Sequence, residues 1–148
     1  MDRLTLTVMP DDDGTAELRG HVQGDQFAGS GSAWFNVEAL EAFCASLNAY
    51  PIDPRSAPVI AGGYWDERGE TLRETHLAIR VTPFDSLGAL QVSVQMGEPA
   101  AMNEPADRGR SVSTWFIVGY NDLQLFHSAF AKVLAGAADE AVLTSTLG

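Results

Sequence analysis

Basic residues are scarce in this chain. Nine Lys and Arg stand against twenty Asp and Glu, a formal net charge of −11. Binding to a phosphate backbone depends on Lys and Arg neutralising the polyanion, so nucleic acid is excluded as the expected partner, and anionic membrane surfaces are disfavoured for the same reason. Cysteine is rarer still: Cys44 stands alone, which rules out an internal disulfide framework and fits a reducing compartment. No apolar run approaches the ~18–20 residues of a membrane span. The opening MDRLTLTVMPDDDG has no basic region followed by an apolar core, as a secretory leader has. The expected location is the cytoplasm.

Catalytic and ligand-binding signatures are missing as well. His21, His76 and His127 form no His-x-His or His-Glu-x-x-His pattern. Gly29 and Gly31, and the pair Gly62-Gly63, lack the spacing of a phosphate loop, and there is no Gly-x-Ser-x-Gly elbow. Asp11-Asp12-Asp13-Gly14 is not a calcium loop, because its consecutive carboxylates point in different directions; it reads as turn chemistry. The pattern therefore calls for no cofactor, no metal and no catalytic residue.

Alternation is present in abundance. Leu77, Ile79 and Val81 fall on one face with His76, Ala78, Arg80 and Thr82 on the other. After a turn ending at Gly88, Leu90, Val92, Val94 and Met96 alternate with Gln91, Ser93 and Gln95. Period two marks strands with one buried and one wetted face. Leu4, Leu6 and Val8, then Ala16, Leu18 and Val22, repeat the pattern. A third strand is predicted over residues 26–35, where Gly29 and Gly31 point to a bulge or a close backbone approach. Further strands are expected over 59–65, 72–82, 112–120 and 141–147. The strand at 112–120 is apolar on both faces and is expected to lie centrally, under a helix.

Two segments change period. Val37, Leu40, Phe43, Cys44 and Leu47 mark one helical face with Asn36 as N-cap, ending by Tyr50 because Pro51 disfavours helical geometry before it. Leu123, Phe126, Phe130, Val133 and Leu134 mark a second, with Asn121 as N-cap and Gln124 completing a capping box. Trp34-Phe35 and Trp115-Phe116 precede the two helices in similar fashion. The order of elements gives an α+β chain, a single domain over 1–148: an antiparallel sheet of about seven strands with two helices packed on it. Residues 97–109, without periodic pattern, are expected to form a flexible loop.

Cys44, on an apolar stripe, is expected to be buried and inert. His21 and His76 are expected on wet strand faces, where a fold that brought them together with Glu17 or Glu74 would make a site. Trp34, Tyr64 and Trp65 are the candidate interaction residues, since Trp and Tyr are enriched at interface hot spots. Asp11, Asp12 and Asp13 join them because a charge of −11 attracts a basic protein partner and accelerates its encounter. Self-association into a homo-oligomer is a further binding mode.

Residues 27–34 leading into Leu40-x-x-Phe43, the pairing of His76-Leu77-Ala78-Ile79 with 88–94, and Leu123-x-x-Phe126 give the chain a plan that resembles small bacterial immunity-like proteins of the WapI immunity family. That resemblance implies a stoichiometric protein that binds a cognate toxin and blocks it, and it supplies no catalytic residues. The alternatives are a small-molecule-binding domain with a pocket between sheet and helices, and a small enzyme.

Overall fold

The structure, a computed structural model, describes residues 1–101, 104–105 and 109–147. Strands β1 (Arg3–Pro10), β2 (Thr15–Gln23) and β3 (Ala28–Asn36) lead into helix α1 (Val37–Ser46). Strands β4 (Val59–Trp65), β5 (Leu72–Pro83), β6 (Ala89–Gly97) and β7 (Ser111–Gly119) follow, then helix α2 (Tyr120–Leu134) and strand β8 (Ala141–Thr144). The α+β class holds. The single sheet of about seven strands does not: the strands form two antiparallel sheets of four, ordered β3-β2-β1-β8 and β4-β5-β6-β7.

The break between the sheets has a physical cause in the small residues of β3. Gly29 packs on Val112 of β7, Gly31 on His76 of β5 and Met96 of β6, and Gly62 of β4 lies against Ala33 and Phe35. Strand β3 therefore crosses the four strands of the second sheet in turn instead of extending that sheet. A Cβ on Gly31 would sit 2.0 Å from the His76 carbonyl oxygen, which only glycine avoids. Gly29 and Gly31 thus serve the close approach and not a bulge. Leu4, Leu6 and Leu18 from the first sheet share one buried cluster with Leu77, Ile79, Val92 and Val94 from the second and with Leu40, Phe43, Phe126 and Phe130 from the helices. Burial of that surface is the main stabilising term.

The register expected for the central hairpin is present: Leu77 pairs with Met96, Ile79 with Val94 and Val81 with Val92, all buried. On the opposite face Arg80 is exposed, while Gln91, Ser93 and Gln95 are half-buried by their sheet neighbours.

The chain also has an internal topological repeat. Strands β1–β3, α1 and β4 form one half; β5–β7, α2 and β8 form the other. The last strand of each half pairs with the first strand of the other, β4 with β5 and β8 with β1. Trp34-Phe35 lies near the end of β3 and Trp115-Phe116 at the middle of β7, so the two aromatic pairs sit on the third strands but not at equivalent positions. Phe43 and Phe130 join the helices, with ring centroids 6.2 Å apart.

Three expectations are corrected here. Strand β7 is an edge strand with no helix over its outer face: only Phe116 and Val118 on the inner face are buried, and Trp115 is exposed. Helix α2 begins two residues early, with Gly119 rather than Asn121 at its N-cap, so Asp122 rather than Gln124 stands at the third helical position and accepts the Gly119 amide at 2.8 Å. Asn36 does occupy the N-cap of α1, but its side chain makes no capping bond. Of the expected loop over 97–109, Gly97 belongs to β6, while residues 102–103 and 106–108 lie outside the described residues. Among the described residues no helix is long and apolar enough to cross a membrane.

Candidate functional site

A cleft of about 690 Å³ opens between α1, β3 and β4. Its helical wall is formed by Phe43 together with Ala39, Ala42 and Ser46, three small residues whose spacing puts them on one face of α1. Trp34 and Phe35 from β3 form the facing wall, Trp65 closes the end of β4, and residues 57–61 complete the lining. Aromatic walls over small floor residues leave a mostly apolar opening, in the size range of sites that receive a ligand or a large side chain. Trp34 is 54% exposed and Trp65 46%, so both rings present apolar area to solvent at the cleft.

The polar groups at the cleft come from its rim. Thr15 pairs with Asn36 across β2 and β3, and the Val37 amide donates to the Gly14 carbonyl at 3.0 Å. These contacts set the Asp11-Asp12-Asp13 turn beside the start of α1. Within the turn, Asp11 accepts the Asp12 amide and Asp13 accepts both the amide and the hydroxyl of Thr15. The Thr15 bonds hold the Asp13 carboxyl below its usual range, so it remains ionised at neutral pH. At the other end, Asp66 follows Trp65; bonds from the Thr71 hydroxyl and the Glu70 amide lower its carboxyl in the same way. An apolar cleft thus lies between two acidic turns.

The start of α2 in the second half carries a tie that the start of α1 lacks. Asp122, at the third position of α2, is 4% exposed and accepts the amides of Gly119 and Thr146, tying the helix start to the segment after β8. The third position of α1 is Ala39, which has no acceptor to make such a tie.

Of the candidate interaction residues, Trp34 and Trp65 line one cleft; Asp11, Asp12 and Asp13 do not line it, and their turn reaches it only through Thr15. Tyr64 is not among the lining residues. Register shifts between Gly62 and Gly63 and between Tyr64 and Trp65 interrupt the alternation of β4, and the Tyr64 ring packs edge-on against His76 at 4.6 Å. Phe35, Asn36 and the Ala39-Ala42-Ser46 row belong to the cleft as well. The helical spacing of those small residues, on the flank of the Leu40-Phe43-Leu47 stripe, was the sequence signal for them.

The histidines have separate environments. His21 is exposed, as expected, with Nδ1 2.7 Å from the Ser30 hydroxyl. His76 is 5% exposed, contrary to expectation: Tyr64 covers it, and Glu74, 3.2 Å from its Nε2, is itself fixed by the Ala100 amide at 2.9 Å. The Ala100 bond, then the His76 contact, hold the Glu74 carboxyl below its usual range. Glu17 pairs with Arg19, so the two histidines and two glutamates do not converge. Among the described residues no group of three or more His, Cys, Asp or Glu is placed to hold a metal ion. Cys44 is buried, and burial raises its thiol pKa, which suppresses the reactive thiolate. His127 Nδ1 lies 2.8 Å from the Cys44 carbonyl oxygen and donates to it, linking the helices.

No protein-family model matches the chain, and neither a curated protein nor a solved structure matches it.

Proposed function

We propose that this protein is a non-catalytic binding protein whose cleft between α1, β3 and β4 receives an apolar side chain of a basic protein partner. The observation that carries the reading is the pair of half-exposed indoles, Trp34 and Trp65, on one cleft of about 690 Å³. Indole rings supply large contact area with few rotatable bonds, which suits an anchor site. The acidic turns on either side favour Lys or Arg flanking the inserted group and raise its rate of encounter. The WapI-immunity resemblance supplies a setting for such binding, a bacterial protein neutralising a toxin.

Selection of displayed random peptides on the immobilised protein tests this reading. The expected result is enrichment of an aromatic or aliphatic residue flanked by Lys or Arg. Binding of a selected peptide should be lost in Trp34→Ala and Trp65→Ala and weakened by salt. Enrichment that survives both substitutions, or acidic enriched peptides, would overturn it.

A second reading, a small apolar molecule in the same cleft, is favoured by one feature: the Asn36 side chain makes no capping bond and can orient a ligand. Binding of an uncharged aromatic probe that depends on Asn36 and is insensitive to salt would select it.

A further inference from the structure

We propose that β7 is the strand through which two copies of this protein pair, edge to edge and antiparallel, about a two-fold axis at Trp115. The inference is independent of the cleft. An edge strand exposes unpaired backbone groups, and soluble proteins blunt such edges with short length, bulges, charge or cover. Three of the four edges here are managed in that way. Strand β8 has only four residues, β4 is interrupted by two register shifts, and β3 is pressed across the second sheet along its length. Strand β7 is different. It runs for nine residues, SVSTWFIVG, without charge, proline or bulge, and its pairing with β6 is regular throughout.

The surface beside this edge is also unusual for so acidic a molecule. Of the twenty carboxylate residues, only Glu17 and Glu74 lie in strands among the described residues, and both are paired. A trough of about 440 Å³ on the outer face of the second sheet runs from Val59 through Ala78 and Ser93 to Trp115, and the only charged residue lining it is Arg80. Two chains of charge −11 repel each other, and β7 with this trough is a stretch of surface that carries no carboxylate of its own. In the paired arrangement the two Arg80 residues would stand five strand spacings apart, roughly 24 Å, well beyond the ~8 Å screening length at physiological salt.

The sequence of β7 suits its own reflection. With Trp115 opposite its symmetry mate, Ser113 meets Ile117 and Thr114 meets Phe116 of the second copy, and every pair lies on a common face because the register preserves the alternation of β7. Trp115 then forms a cross-strand aromatic pair at the axis. Its ring is already ordered by near-parallel stacking on Phe84, with centroids 6.3 Å apart, which lowers the entropy lost on pairing.

Sedimentation velocity of the full chain, over a range of concentrations at low and high salt, tests the proposal. A reversible dimer is expected, tighter at high salt because the repulsion between like-charged chains is screened. Trp115→Lys and, as a second exposed substitution on the same strand, Ser113→Lys should each weaken dimerisation by about tenfold or more with an unchanged circular dichroism spectrum. Trp34→Lys, an exposed tryptophan on the third strand of the first half, should leave it unchanged. Amide hydrogen exchange of β7 should slow as concentration rises. A monomer at every concentration, or a dimer indifferent to both β7 substitutions, overturns the proposal. So does a dimer without added protection of β7 amides, or a β7 edge that pairs only with added peptides.

Discussion

Gly31 of β3 lies so close to the His76 carbonyl of β5 that a side chain of even one carbon would reach within 2.0 Å of the oxygen. This contact is where the two sheets meet most tightly. It involves backbone on one side and leaves no flexible atom to yield.

Gly31→Ala should therefore destabilise the protein by about 3 kcal/mol or more, beyond the usual range for surface substitutions, because the sheets must separate to accept it. Ser32→Ala, next to it on the opposite face of β3, should change stability by about 0.5 kcal/mol or less. Urea midpoints of the two variants check the ranking.

Asp122→Ala should cost ~1–3 kcal/mol, since it leaves the Gly119 and Thr146 amides without their charged acceptor. The accompanying sign is local: the Thr146 amide should exchange with solvent faster than in the parent, while amides in the β5–β6 hairpin should change only in proportion to global stability.

Val92, fully buried between Val81 and Phe116 in the second sheet, should lose ~1–3 kcal/mol on Val92→Ala through lost burial and a cavity. Ser93→Thr, on the opposite face, should be nearly neutral. Equal midpoints for the two variants would contradict the register.

Glu74 gives the stability a defined acid limb. Its carboxyl is held below the ordinary value by the Ala100 amide and by His76, so the folded state favours its ionised form. That contribution is fully present above the unfolded value of about 4.3 and is lost as pH falls through the lower folded value. Glu74→Gln keeps an acceptor for Ala100 but cannot titrate. Below about pH 4.3 the difference in denaturation midpoint between parent and variant should shrink as the parent carboxylate takes up its proton. A difference that stays constant through the acid range would show that the pair does not couple to folding.

Local pattern made most of the elements readable. The alternation of Leu77, Ile79 and Val81 against Leu90, Val92 and Val94 needed no long-range information, because a period of two with one apolar face admits only that pairing of faces. The helical stripes through Phe43 and Phe126 were equally plain. Trp34 and Trp65 stood out as candidates by residue type, but nothing in their neighbourhoods marked them as parts of one cleft, thirty-one positions apart in the chain. Tyr64, next to Trp65, was indistinguishable from it until the register shifts in β4 sent the two rings to different places.

What the amino-acid sequence determined by itself was the local geometry and the balance of charge: which segments are strands or helices, which faces of the hairpin and helices are apolar, and that the molecule carries −11. Tertiary structure decided the division into two sheets, the burial of His76 beneath Tyr64, the edge position of β7 and the meeting of Trp34 with Trp65. The reason is range. Periodicity reports the environment of a face averaged over a few residues. Which strand lies at an edge depends instead on closures between distant segments, such as β8 returning to β1 and Gly31 coming to rest against His76.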